Sequence, residues 1–310
     1  MIITPSEQDL HIKTFKPIFK KVISIKHHLE TIFVFGRAGD DPLVSNRAKF
    51  LLYLDGKDTP FNFVTIEDLY LDIKTYSGNN GITAKKTHLV QLELYAIEQA
   101  YSLIIFPESE GSYAELGYFT AIPATKKKIY VANDYNFSSE RSYLNHLIEE
   151  AHNDRELQPL LVNFKSDNVH DVNGKFDVLM RNLLDDYDSN KNNTKVLSSS
   201  LLFLAVIYEV IRLVPLLMFN QVKTISRAIM EEFKEHKFDD KIFTVNISLL
   251  VVSKLISRHT VNEHIYFLPM NPDNTLISFD LTETARKKFM LFQLMRREET
   301  QVRLSQNESI

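Results

Sequence analysis

The chain has 310 residues, a hydrophobic fraction of 44% and a formal net charge of −4, which is enough apolar material for one large core or two ordinary ones. A charge this small excludes a dedicated polyanion binder. The absence of cysteine excludes disulfides, thiolate metal sites and a cysteine nucleophile.

In chain order, Met1-Ile-Ile-Thr-Pro-Ser6 lacks the basic start and apolar stretch of a signal peptide, and residues 7–28 read as an amphipathic lead-in helix. Strand-like apolar runs follow at Thr31–Phe35, Phe61–Ile66, Leu103–Phe106, Lys128–Val131 and Leu160–Phe164. Helical patterns alternate with them at Ser45–Leu54, His88–Ala100, Ser112–Ala121, Arg141–His152 and Lys175–Asp186. Such alternation predicts an α/β fold, a parallel sheet covered by helices on both faces. The polar run Asp185–Thr194 has no apolar periodicity and reads as a linker. Charge divides near it: residues 1–194 carry 21 Lys+Arg against 27 Asp+Glu, and residues 195–310 carry 15 against 13. The expected organisation is a domain over 1–188, a linker over 189–198 and a second domain over 199–310.

Beyond the linker, helical periodicity covers Leu201–Leu217, Val222–Glu235 and Asn246–His259. Glu209 and Arg212 interrupt the first of these, which argues against a membrane span; a cytoplasmic protein is expected. Two strand-like runs, His264–Pro269 and Thr275–Phe279, flank the turn signal Asn271-Pro-Asp-Asn274, and a last helix begins at Thr282. Three helices, a hairpin and a closing helix are the order of a winged helix-turn-helix domain, whose third helix usually enters a DNA groove. Lys254, Arg258, Arg286, Lys287 and Lys288 are its basic candidates for nucleic-acid or partner contact; each is also readable as a solvated surface charge.

The chemistry-bearing segment is Leu103-Ile-Ile-Phe-Pro-Glu-Ser-Glu-Gly-Ser-Tyr-Ala-Glu-Leu-Gly117. A buried strand ends at Pro107, a polar turn over Ser109, Glu110, Gly111 and Ser112 follows, and a helix starts at Tyr113. Ligands of open parallel sheets bind at strand C-termini, where Ser109, Gly111 and Ser112 leave amides for a phosphate or hydroxyl. Glu115, in the first turn of that helix, can overhang the crevice; it also reads as a partner of the helix dipole. The turn after the first strand, Gly36-Arg-Ala-Gly39-Asp40-Asp41, matches neither a dinucleotide fingerprint nor a Walker loop. Gly36 and Gly39 allow close backbone approach, and Arg37 can hold an anion. Glu67, Asp68 and Glu93 are carboxylates able to join Glu115, and crowding would raise their pKa values; each also reads as a solvated helix charge. The histidines show no ligand spacing, so no metal is expected.

Thr31-Ile-Phe-Val-Phe-Gly-Arg-Ala-Gly39 and Ala114-Glu115-Leu116-Gly117 resemble the nucleoside 2-deoxyribosyltransferase superfamily, which is flavodoxin-like. A narrower resemblance, carried by Phe106–Phe119, Ile66–Tyr70 and Asp134–Asn145, is to deoxyribosyltransferase-like effectors of retrons, which end in a winged-helix domain. The resemblance implies that Glu115 attacks C1′ of a sugar, as in a retaining glycosidase, with Asp40 on ribose hydroxyls and backbone donors at Ser109–Ser112 on hydroxyls or phosphate. Val34 or Phe35 replaces the first-strand Tyr of the transferases, Glu93 replaces one site Asp, and Tyr101 replaces the other.

For the whole chain the resemblance implies an anti-phage toxin that cleaves N-glycosidic bonds of NAD+ or nucleotides, these being substrate rather than cofactor. It would be held inactive, as an oligomer within a complex, by a reverse transcriptase and its multicopy single-stranded DNA, a DNA–RNA hybrid. Two alternatives stay open: a nucleotide-sensing DNA-binding regulator with a non-catalytic Rossmann-like domain, and deoxyribosyl transfer in nucleoside salvage.

Overall fold

The structure, a computed structural model, describes residues 3–25, 29–77, 89–135, 142–153, 159–165, 169–190, 199–233, 238–261 and 264–281, together with Glu283, Lys287 and Glu298. The chain forms two compact units. One, here the sheet unit, comprises His28–Tyr70 and Leu89–Asn193; the other, the C-terminal unit, comprises Met1–His27, Leu71–His88 and Thr194–Ile310.

Helix α1 (Pro5–Phe19) opens the C-terminal unit. Thr4 caps it in a capping box with Glu7, and Pro5 occupies a first-turn position where its missing N–H costs nothing. The helix stops well before residue 28, the end expected from the sequence, because Val22–Ile25 forms a strand, β1.

The sheet unit then follows as β2 (Leu29–Phe35), α2 (Asn46–Leu54), β3 (Asn62–Val64), α3 (Ile66–Ser77), α4 (Leu89–Gln99), β4 (Ala100–Ile105), α5 (Glu110–Thr120), α6 (Pro123–Lys126), β5 (Ile129–Asp134), α7 (Tyr143–Asn153), β6 (Leu160–Val162) and α8 (Val169–Asn190). Residues of α3 up to Tyr70 belong to this unit, and those from Leu71 belong to the other. The five strands lie side by side in the order β3-β2-β4-β5-β6, all parallel. Every predicted strand of this region is present and joins this one sheet. Both faces are covered, as parallel sheets require. On one face Ile32, Val34, Ile104 and Phe106 pack with Phe50 and Phe176; on the other Phe35 meets Phe119 with ring centroids 5.1 Å apart. Each such ring contributes on the order of 2–3 kcal/mol by burial.

One reading of this region is corrected. The polar run from Asp185 is helical as far as Asn190, because Tyr187 is anchored to Glu30 by a 2.5 Å hydrogen bond; residues 191–198 lie outside the described residues. Helix α3 was not foreseen. Its start is fixed by Thr65, whose hydroxyl accepts the Asp68 N–H while the Asp68 carboxylate accepts the Thr65 N–H, a reciprocal cap. Tyr101 lies at the start of β4, stacked on Phe61, at the opposite end of the strand from the loop that carries Ser109.

The C-terminal unit continues as α9 (Ser199–Leu213), β7 (Leu217–Met218), α10 (Phe219–Met230), α11 (Asp240–Val252), β8 (Ile256–Val261), β9 (His264–Pro269) and β10 (Ile277–Phe279). Strands β7, β9 and β8 form an antiparallel sheet in that order. The third helix is shorter and earlier than expected, since Asp239 caps it and Ile256–Val261 is strand. The hairpin is therefore β8–β9. The run expected to complete it, at residues 275–279, pairs with β1 instead. Buried Glu209 fixes this outcome: it takes the Arg212 guanidinium at 2.6 Å, the Thr275 hydroxyl at 2.7 Å and the Leu276 N–H at 2.8 Å, drawing the chain off the hairpin. The expected closing helix lies outside the described residues apart from Glu283, Lys287 and Glu298. No described helix is long and apolar enough to cross a membrane.

Candidate active site

The strand order places a topological switch point between β2 and β4, because the chain leaves β2 toward β3 on one side and leaves β4 toward β5 on the other. At such a point the two carboxyl-terminal loops diverge and leave a crevice. Phe106 N–H still bonds Phe35 O at 2.9 Å; beyond that pair the loops separate, one beginning at Gly36 and the other at Pro107.

A single carboxylate ties them together. Glu108 accepts the N–H groups of Arg37 at 3.0 Å, Asn46 at 2.6 Å and Arg47 at 3.1 Å, and the Ser45 hydroxyl at 3.2 Å. It sits at the N-terminus of α2, where unsatisfied amides and the helix dipole favour an anion. Gly36 makes room for it: a Cβ there would lie 2.7 Å from Glu108 Oε1 and 2.8 Å from Arg47 Cβ. The second glycine, Gly39, has φ +108°, a backbone that side chains disfavour. Arg37 and Asp40 are exposed, and the Arg37 guanidinium reaches the Glu108 carbonyl at 3.3 Å.

The serine loop is engaged with itself. Helix α5 begins at Glu110, so Ser109 is its N-cap, and Gly111 and Ser112 lie inside its first turn rather than in the turn before it. Ser109 Oγ accepts the Ser112 N–H at 3.2 Å, and Ser112 Oγ accepts the N–H groups of Glu108 and Ser109 at 3.0 Å each. Short hydroxyl side chains satisfy these amides locally. They are thus occupied within the loop rather than offered to a ligand.

Glu115 follows one turn into α5, partly buried, and among the described residues no hydrogen bond or ion pair reaches its carboxylate. Burial raises its pKa to about 7, with the charges of Glu93 and Glu67 adding to the effect and Arg47 opposing it. Glu93, on α4, is pushed up by burial and by Glu67, against a 2.8 Å hydrogen bond from the Tyr70 hydroxyl. Glu67, in the first turn of α3, receives the buried Arg47 guanidinium at 3.0 Å on both oxygens. Asp68 is spent on the cap of α3, accepting the Thr65 hydroxyl at 2.7 Å. The structure therefore brings Glu115, Glu93 and Glu67 into one field, while Asp68 is committed to its cap and Asp40 is exposed.

Arg47, Tyr70 and Glu108 were missed from the sequence. Tyr70 had a signal, since it stands three residues after Glu67 on one helix face, but only once that segment is read as helix. Glu108 stood in view at the strand end, and nothing local marks it as an acceptor for a helix sixty residues earlier. Val34 and Phe35 are buried in the core, so neither supplies a polar group at the position where the resemblance has a Tyr.

In the C-terminal unit, Lys254 is exposed in the turn after α11, with φ +53°. Arg258 lies on β8 rather than on the third helix, bonded to Asp72 at 2.6 Å and to Thr75 at 2.6 Å, with its guanidinium over the Tyr76 ring. Lys287 pairs with Glu283 at 2.8 Å. Arg286 and Lys288 lie outside the described residues. Among the described residues no group of three His, Asp or Glu is arranged to hold a metal ion.

Among the described residues, three carboxylates against one guanidinium, itself committed to Glu67, leave the site with excess negative charge around one unpaired, half-buried carboxylate. Chemically this favours a positive charge developing on a ligand and supplies an oxygen nucleophile beside it.

A family model described as "STM3845 retron effector protein" matches residues 43–258, a span that contains Arg47, Glu67, Tyr70, Glu93, Glu108 and Glu115. A protein of Escherichia coli, "Retron Ec86 putative ribosyltransferase/DNA-binding protein", is 33% identical over 119 residues, covering 37% of this chain and only 35% of that protein. Among solved structures, Cdc6p from Pyrobaculum aerophilum aligns over 96% of this chain and 97% of its own at 11% identity and a TM-score of 0.20, a likeness on which nothing is built.

Proposed function

From the premise that this chain belongs to the STM3845 retron effector family, we propose that it is an N-glycosidase effector of a retron, acting on NAD+ or a nucleotide through Glu115. The supporting observation is the surplus of carboxylate around Glu115. Cleavage of a C1′–N bond passes through a cationic, oxocarbenium-like sugar. The leaving base takes the bonding pair, and the charge left on C1′ is met by Glu115 and stabilised by Glu93 and Glu67. Glu115 attacks as the anion, forming a C1′–O bond; water then breaks that bond, leaving its hydroxyl on C1′ and its proton with the departed base or solvent, and the carboxylate returns. With a pKa of about 7, roughly half of Glu115 is ionised at neutral pH, and an approaching cation lowers that pKa and enlarges the ionised fraction.

The fold supports the same reading. Counted within the sheet, the strand order is 2-1-3-4-5, the flavodoxin-like arrangement, which suits a deoxyribosyltransferase-like domain. Three helices with the β8–β9 hairpin suit a winged helix. The relative's name joins a ribosyltransferase to a DNA-binding protein, and the C-terminal unit is the part proposed to meet the reverse transcriptase and its DNA–RNA hybrid, which hold the effector inactive.

The test is incubation of the purified protein with NAD+ and a panel of nucleotides, following release of free base by chromatography. Release is expected from the parent and absent from Glu115→Gln, with both proteins equally folded. Base release by the variant overturns the assignment. Sequence-specific DNA binding with no turnover by the parent favours a nucleotide-sensing regulator instead.

A further inference from the structure

We propose that Tyr70 is a positioning residue of this site, whose hydroxyl holds Glu93 fixed and ionised beside Glu115 so that the pocket stays anionic where the sugar cation forms. The inference rests on the reading of Glu115 as the reacting carboxylate and gives a role in the site to Tyr70, a residue to which the sequence assigned none.

The geometry is direct. Tyr70 and Glu67 are three residues apart at the start of α3 and so share one face of it. The Tyr70 hydroxyl donates to Glu93 Oε1 at 2.8 Å. Among the described residues, the charged and titratable groups that interact with Glu115 are Glu93 from α4, Glu67 and Tyr70 from α3, and Arg47 from α2. Arg47 is spent on both oxygens of Glu67, so the Tyr70 hydroxyl is what opposes protonation of Glu93. Burial and the surrounding carboxylates push the Tyr70 hydroxyl far above its ordinary pKa, which keeps it a donor throughout the working pH range. Its single proton can serve only one strong acceptor, and Glu93 has it. Tyr70 therefore touches the reaction through Glu93 rather than at the bond that breaks.

The test is the variant Tyr70→Phe in the full-length protein, labelled with δ-13C glutamate and titrated by NMR, with Glu115→Gln and Glu93→Gln identifying the two resonances. Without the hydroxyl, the Glu93 midpoint should rise. With Glu93 then protonated over more of the range, the Glu115 midpoint should fall from about 7, by on the order of one pH unit. A merely structural loosening admits water and lowers both midpoints together, so movement in opposite directions identifies the positioning role. Glu93→Gln should lower the Glu115 midpoint alone, and adding Tyr70→Phe should change it no further. Both midpoints falling together, neither moving, or Glu115 unmoved in Glu93→Gln overturns the proposal. The titration needs no substrate, so it stands or falls separately from the N-glycosidase reading. Where turnover is measured, kcat of Tyr70→Phe should drop roughly tenfold with KM nearly unchanged, the signature of an interaction made in the transition state.

Discussion

Replacing Glu108 by alanine probes the joint on which the crevice is built. Of its four donors, the Arg37 N–H is exposed and rehydrates. The Ser45 hydroxyl keeps a second acceptor in the Arg37 carbonyl at 3.2 Å. The N–H groups of Asn46 and Arg47, in the first turn of α2, lose a charged acceptor and gain no protein partner. Each is worth about 1–1.5 kcal/mol net, and the lost carboxylate at the helix N-terminus adds about 0.5–1 kcal/mol, for a total near 3 kcal/mol. Since about 1.4 kcal/mol is a factor of ten in an equilibrium, local opening of this turn should become roughly 100-fold more frequent. Native-state hydrogen exchange at Asn46, Arg47 and Ala48 reads that quantity without assuming that the two units unfold together. Glu108→Gln should be intermediate, because its carbonyl can serve the Oε1 contacts while its NH2 faces the Asn46 N–H. Exchange changed by less than about threefold in Glu108→Ala would refute the view that this carboxylate supports the α2 start.

Other outcomes follow from groups already placed. Glu115 has its pKa raised above the ordinary carboxylate value, so it favours folding most below pH 4.5 and loses that contribution as pH rises through about 7; Glu115→Gln should melt higher than the parent at pH 8 and no higher at pH 4. Arg258→Ala strips the partner from an Asp72 side chain that is 7% exposed and should destabilise the C-terminal unit by about 3 kcal/mol, with Asp72→Asn recovering much of it, both read by chemical denaturation. Lys128 donates to the carbonyls of Ile97, Glu98 and Ala100 where α4 passes into β4, so Lys128→Met should cost about 2 kcal/mol, read by the same method. Burial lowers the Lys128 pKa to about 8, so the parent should gain stability between pH 8 and 10 and Lys128→Met should show less of that gain.

The parallel sheet was legible because its strands are short apolar runs separated by amphipathic helices, a pattern set by local burial. Readings failed where a distant residue decides the local structure. The chain at 275–279 has the composition of a hairpin strand, yet Glu209, more than sixty residues earlier, holds its N–H and hydroxyl groups and turns it toward β1. Asn246–His259 continues an apolar pattern past the end of α11, but Ser253 and Lys254, the latter at positive φ, stop the helix and release Arg258 onto a strand. The polar serine loop was legible as a loop beside a crevice. That the Glu108, Ser109 and Ser112 amides are taken by its own hydroxyls was not, because composition does not tell a donor that waits for a ligand from one already bonded.

The same distinction governs the carboxylates. Asp40, Asp68, Glu67, Glu93, Glu108 and Glu115 are equivalent as letters, and their roles follow from what each has for a partner. Asp68 has a threonine cap, Glu108 a helix start, Glu67 a guanidinium and Glu93 a tyrosine. Each of these partners favours the anionic form of the group it meets. Glu115 alone of the crowded three has no such partner among the described residues, and it is the one whose pKa climbs to about 7. A carboxylate that is uncompensated at rest gains most from a cation placed beside it, because binding removes repulsion and supplies attraction at once. Charge at Glu93 and Glu67 thus costs stability in the empty site, and under the proposed N-glycosidase reading it would lower the barrier in the filled one, which would make the partners of those two residues as consequential as Glu115 itself.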